Sequence, residues 1–224
     1  MKKLLFLLIL PSLLFSCSKE KQALKYPIEM SLDSIKAVSE MRVFTEGGIE
    51  LDAKTDKKAI DGFLNRDYVE KTANGITYAL SRFTEPAIED YQGPEFKFYG
   101  AGTIKYAADI IGVKKYDDVT VMKSAVTNPV KDDPIVQSDL FKYKFALNSD
   151  GSYHYQYVVH KKSDQSLEVS LLYYKLVRYD DEGNRKQLAF GKVHNELNQP
   201  FVQTLKKSDT LAVKAYRLVY SVKE

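Results

Sequence analysis

Residues 141–159 read FKYKFALNSDGSYHYQYVV. Phe141, Tyr143, Phe145 and Leu147 alternate with Lys142, Lys144 and Ala146. After Asn148-Ser149-Asp150-Gly151, the residues Tyr153, Tyr155, Tyr157 and Val159 alternate with His154, Gln156 and Val158. Successive side chains of a strand point to opposite faces, so a period of two predicts a half-buried strand on each side. The intervening polar residues, with a glycine available for positive φ, read as a turn, and the whole predicts a β-hairpin. Its buried face would carry Phe141, Tyr143, Phe145, Tyr153, Tyr155 and Tyr157.

Working outward, the same reading extends to the C-terminus. Residues 167–179 form a long run that is apolar on both faces through Leu171-Leu172-Tyr173-Tyr174. A strand covered on both sides belongs centrally, or beneath a helix or loop. Asp180-Asp181-Glu182-Gly183-Asn184 reads as a turn, and residues 186–193 return. A further turn at Lys207-Ser208-Asp209 leads to a last strand at 211–222. The second half is thus expected to be an up-and-down meander.

Towards the N-terminus the pattern is less regular. Residues 41–45 read as a strand, Glu46-Gly47-Gly48 as a turn and 49–51 as the return. Thr55 or Asp56 is placed to cap a short helix reaching about residue 67, with Ile60, Phe63 and Leu64 on one face. Asn74-Gly75 marks a turn before a strand at 76–83, and Phe96, Phe98, Ile104 and Tyr106 flank another at Gly100-Ala101-Gly102. Residues 108–116 fit either state, and 128–134 (Asn-Pro-Val-Lys-Asp-Asp-Pro) form the clearest loop. The fold class that follows is mostly β: an antiparallel meander of about 8–10 strands, closed as a barrel or stacked as a sandwich, with one or two short helices.

The first residues carry an address. Lys2 and Lys3 precede the apolar run 4–10, which resumes at Leu13-Leu14-Phe15. That is the layout of a signal peptide, and the run is shorter than the roughly 20 residues a spanning helix needs. Leu14-Phe15-Ser16-Cys17 resembles the lipobox of bacterial lipoproteins, with an aliphatic residue three before the cysteine and a small one directly before it; Phe15 is bulkier than the residue usual between them. The resemblance implies that residues 1–16 are removed and that Cys17, the sole cysteine, carries diacylglycerol and usually an amide-linked palmitate. Two or more acyl chains anchor stably where one does not. Residues 17–25 then read as a lipidated tether and 26–224 as a single domain, divisible only near 128–134. The Cys-Ser-Lys-Glu start is similar to lipoproteins of Bacteroidota, and Ser18 in place of aspartate favours the outer membrane. The order of strand, short helix and antiparallel strands resembles lipocalin-like lipoprotein domains of that phylum.

Composition narrows the chemistry. Without residues 1–16 the chain holds 31 basic and 30 acidic residues, interspersed, which leaves no electrostatic case for nucleic acid. Sixteen tyrosines and no tryptophan suit strands more than sugar-stacking platforms. Of the three histidines, His154 and His160 lie six residues apart on one strand, about 20 Å, so they cannot share a metal ion with each other. No Gly-x-Ser-x-Gly elbow, phosphate loop or His-Glu-x-x-His is present. Asp117-Asp118, Asp132-Asp133 and Asp180-Asp181 sit among turn residues, and the 180–184 cluster lacks the ligand spacing of a calcium loop. No catalytic residue, metal or cofactor is therefore assigned. What remains is the aromatic set Phe141, Tyr143, Phe145, Tyr153, Tyr155 and Tyr157, readable as packed core or as the lining of a calyx for one small apolar ligand. The expected function is a lipid-anchored, non-catalytic binding domain of the cell envelope; the alternatives are a protein-interaction module of an envelope complex and a carboxylate-dependent surface hydrolase.

Overall fold

A computed structural model of the chain describes residues 27–66, 68–71, 77–80, 96–100, 103–106, 110–128, 138–163 and 165–222. The signal segment, Cys17 and the tether, the Asn74-Gly75 turn, the Asp132-Asp133 pair and most of the 128–134 loop lie outside these residues. The protein is mostly antiparallel β, with one sheet curled into a half-barrel and two helices.

The strands are β1 (Ile28–Ala37), β2 (Arg42–Phe44), β3 (Tyr68–Lys71), β4 (Thr77–Leu80), β5 (Phe96–Gly100), β6 (Thr103–Tyr106), β7 (Ile110–Lys115), β8 (Thr120–Asn128), β9 (Tyr153–Lys161), β10 (Ser166–Tyr179), β11 (Arg185–Val193) and β12 (Thr210–Val222). The helices are α1 (Lys57–Leu64) and α2 (Gln199–Val202). The main sheet runs β6-β5-β1-β12-β10-β9-β8-β7, while β11 also pairs with β10 and β2 with β12; β3 and β4 form a separate hairpin. Its strands come from both sides of residues 128–134. The terminal strands β6 and β7 are consecutive in sequence. Four peptide steps from Tyr106 to Ile110 span at most about 14 Å, so the chain itself draws the two ends of the sheet together.

The long pair β10–β12 is the spine. β12 pairs with β10 from Ser166↔Ser221 to Val177↔Thr210. At one end of this pair lie β9 and β1, and at the other β11 and β2. Leu167, Val169 and Leu171 of β10 join Tyr216, Leu218 and Tyr220 of β12, Met30, Phe96, Met122 and Tyr157 in one buried cluster. These residues come from strands right across the curl, so the cluster fills the concave face. Leu172, Tyr174 and Leu176, one residue out of phase, pack with Leu211, Val213, Phe44, Leu140, Phe141 and the α2 residues Phe201 and Val202 on the convex face. This is the double coverage expected of residues 167–179.

Three expectations are corrected. Residues 141–147 are not a strand: only the isolated bridges Phe141↔Leu197 and Leu147↔Tyr153 touch them, so the predicted hairpin reduces to β9 and its turn. The turn forms as read, with Gly151 at φ 81° and its N–H donated to the Asn148 carbonyl at 3.0 Å. The alternation of 141–147 is an alternation of burial, met by laying an extended segment over the sheet. Secondly, the second half is not a simple meander: β9 and β11 share one edge of β10, at its two ends, and β12 takes the other edge after a connection that carries α2. Thirdly, Asp56 stands at the α1 N-cap without capping it: its carboxylate instead accepts the Asp52 N–H at 2.9 Å.

Helix α1 is held from its other end. Lys175, buried on the same side of β10 as Leu171, donates to the carbonyls of Phe63 (2.8 Å), Leu64 (3.1 Å) and Arg66 (2.8 Å). Carbonyls at a helix C-terminus have no partners within the helix and carry its partial negative charge, so an ammonium there serves both needs.

Candidate functional site

The segment after β11 crosses the convex face and carries the most connected side chain described. Asn195, buried, donates Nδ2 to the Tyr143 carbonyl (2.7 Å) and accepts the Tyr143 N–H on Oδ1 (3.2 Å), so its amide stands in for a strand partner. The Lys142 N–H donates to the Glu196 carbonyl and the Asn198 N–H to the Leu140 carbonyl, both at 2.8 Å. Gln156 Nε2 adds a 2.6 Å bond to the Tyr143 carbonyl. These bonds satisfy the backbone that a sheet ladder would otherwise have taken up.

Glu196 is placed by this pairing. Its Oε1 lies 3.0 Å from His160 Nε2 and accepts from Ser170 Oγ (3.1 Å) and Arg217 Nη2 (2.9 Å), and its Oε2 accepts from Lys142 Nζ (3.1 Å). Ser170 and Arg217 are cross-strand partners on β10 and β12. The bond to His160, then those from Lys142 and the charges of Arg217 and Lys142, outweigh desolvation and hold the carboxyl down at about 2. It is therefore ionised at neutral pH.

Ser170, His160 and Glu196 are the residue types of a hydrolytic triad, but their geometry is not one. In a triad the serine and the carboxylate engage opposite ring nitrogens. Here both lie at 3.0 Å from the same Nε2, Ser170 also bonds Glu196 directly, and Ser170 is fully buried. The cluster anchors a loop; it does not activate a nucleophile.

Next to Glu196 opens a groove of about 480 Å³, within the range of small-molecule sites. Its floor and walls are apolar, with Leu172, Val213 and Ala215 from the spine, Val38 beyond β1, and Leu197 and Pro200. Its charged lining is Arg42, Lys142, Arg217 and Glu196. Arg42 is gripped by Glu50 through Nε at 2.9 Å and Nη2 at 2.7 Å and lies over the Phe44 ring. A second cavity, about 660 Å³, lies between the β10–β11 turn, Lys206-Lys207 and the end of α1. Asp180 there is spent on its own turn, accepting the Asn184 N–H at 2.7 Å. Asp117-Asp118 likewise occupies the bend between β7 and β8. Among the described residues no group of three or more His, Cys, Asp or Glu is arranged to hold a metal ion.

The aromatic set does not stay together. Phe141, Phe145 and Tyr153 pack in the convex-face core in a chain of edge contacts, Tyr174–Phe141 at 5.4 Å, Phe141–Phe145 at 5.6 Å and Phe145–Tyr153 at 5.1 Å. Tyr157 enters the concave core, where its ring meets that of His194 at 4.8 Å. Tyr143 sits in a third cluster with Val119, Val121 and Val158, and Tyr155 is 41% exposed. Neither of the two cavities above is lined by any of the six. Cys17 lies outside the described residues.

The groove residues were not among those singled out from sequence. A usable signal existed: Ser170, Lys175 and Arg217 are polar residues within the largely apolar strands β10 and β12, and a polar group there needs a partner. Which partner cannot be read from sequence, because Glu196 lies 26 residues from Ser170 and 21 from Arg217.

The two largest downward shifts make acid the weak side of the fold. His194 is lowered to about 4, first by its desolvated packing and then by the charge of Lys192, and Glu196 to about 2. Both native values lie below the unfolded ones, so the unfolded chain takes up protons first as pH falls. Stability is expected to be level above about pH 6.5, to fall from there to about 4 through His194, and to fall again between about 4.5 and 2 through Glu196. At ~1.4 kcal/mol per pKa unit the Glu196 step is about 3 kcal/mol; the His194 step is smaller, because part of that residue meets solvent. Urea midpoints across this range check it: Glu196→Gln should flatten the lower step only, and an unchanged midpoint down to pH 4 would refute the His194 part. Among the described residues no helix is long and apolar enough to cross a membrane. Comparison with protein-family models, with curated proteins and with solved structures finds no match for this chain.

Proposed function

We propose that this chain is a cell-envelope protein, anchored by lipid on Cys17, that holds a small, largely apolar molecule without transforming it.

 The support for the anchor is the run from Lys2 to Cys17. The support for binding, and the observation that carries the reading, is the groove beside Glu196: concave, apolar on its floor, polar on its rim and built on the rigid β10–β12 spine. Five of the six aromatics are taken up in three clusters and Tyr155 is exposed, so we place the ligand in this groove and not in a calyx. The Ser170–His160–Glu196 geometry favours binding over hydrolysis.

Two measurements test the parts separately. Metabolic labelling with a clickable fatty acid should mark the wild-type protein in the outer-membrane fraction and leave Cys17→Ser unlabelled; labelling that survives the substitution would sink the anchor. Native mass spectrometry of the mature chain carrying Cys17→Ser should show added mass that vanishes on denaturation and is lost when Ala215→Phe fills the groove. Added mass that persists in Ala215→Phe would put the ligand elsewhere.

A second reading has one observation of its own. Strand β7 ends the sheet, and Ile111 and Val113 on it are each 55% exposed. A terminal strand with exposed apolar side chains suits the addition of a partner's strand. Crosslinking from β7 in intact envelopes would favour this reading if it captured one defined protein.

A further inference from the structure

Resting on the groove reading, we infer that the molecule held there is an amphipathic anion, an apolar chain ending in a carboxylate or phosphate monoester, whose head lies between Arg217 and Lys142.

The argument is a count of charge and of donors. Three cationic side chains line the groove, Arg42, Lys142 and Arg217, against the single carboxylate of Glu196. Glu50 neutralises Arg42 from outside the lining through a two-point contact. Glu196 faces both Lys142 and Arg217 and offsets one charge of the two. One positive charge is left over at the mouth of a concave apolar site, where low-dielectric walls focus its field. Donors are left over as well. A guanidinium carries five N–H groups, and Arg217 gives Glu196 a bond from Nη2 alone. Lys142 carries three, and its ammonium contacts Glu196 at 3.1 Å and the Tyr143 side chain, which leaves one N–H over. Glu196 is largely occupied, since Oε1 already meets His160, Ser170 and Arg217 and Oε2 meets Lys142. An incoming anion would therefore meet oriented donors and find its counter-charge in place. The floor of Leu172, Val213 and Ala215 has no charge to offer and suits an alkyl or ring body.

The test is calorimetric titration of the mature chain carrying Cys17→Ser with octanoate, octyl phosphate and octanol. At least one of the two anions should bind at least tenfold more tightly than octanol, and the anion that wins names the head group. Lys142→Met, a change at a half-exposed side chain, should reduce that preference several-fold. Raising salt should weaken the anion and leave octanol unaffected, a readout that needs no variant. Octanol binding as tightly as both anions would overturn the inference while leaving the groove as an apolar site. Failure of all three probes to bind would overturn the groove reading with it.

Discussion

Glu196→Ala is expected to lower the unfolding free energy by about 2–4 kcal/mol, the loss that follows when one partner of a largely buried charge cluster is removed. The carboxylate is the common acceptor of Arg217, His160, Ser170 and Lys142. Without it Ser170, fully buried, loses an acceptor, and Arg217 and Lys142 face each other across an apolar groove with no counter-ion. The loss is not simply the worth of four hydrogen bonds, since it includes the cost of leaving those groups desolvated. Two comparisons separate the causes. Glu196→Gln keeps an acceptor and loses the charge, so it should fall between wild type and alanine. Combining Glu196→Ala with Arg217→Met removes the stranded cation and should recover part of the loss; a double variant as weak as the sum of the singles would show that the cluster is not coupled. The readout is the urea midpoint at neutral pH, and a shift for Glu196→Ala below about 0.5 kcal/mol would refute the account.

Lys175→Met should cost about 2–4 kcal/mol and should act first on α1. Its ammonium bonds three carbonyls at the C-terminal end of that helix. Methionine fills much the same volume but donates nothing, so three part-buried carbonyls lose their donor. α1 has only eight residues and no fully buried side chain, and so short a helix is marginal without tertiary contacts. Amide exchange over 57–64 should therefore accelerate by an order of magnitude or more, while the β10–β12 ladder changes less. Equal acceleration in both places would mean that Lys175 supports the sheet and not the helix.

The strands of the second half were legible because their burial alternates cleanly. Residues 167–179 and 211–222 read as strands and are strands, with ends within a residue or two. β1 was not legible. Met30 and Leu32 alternate, but a bulge between Leu32 and Ser34 shifts the phase, so that Ile35 joins them in the concave core. An extra residue in a strand turns the next side chains over, and a period-two search reads that as noise. Residues 141–147 failed in the opposite direction. They alternate as a strand would, yet Asn195 and Gln156 side chains take up their backbone groups. Periodicity reports which side chains are covered, and it is silent on what the backbone bonds.

By itself the sequence determined the mostly β class, the double coverage of β10, the turn at 148–151 and the expectation of a lipid address at Cys17. Those follow from local properties: period, turn chemistry and the order of a few N-terminal residues. Only the tertiary structure decided that the aromatics of one apparent face disperse into three clusters and, for Tyr155, to the surface, and that His160, Ser170, Glu196, Arg217 and Lys142 converge. The reason is that strand order, curl and bulges set which distant residues meet, and none of the three is written in the alternation of any single strand.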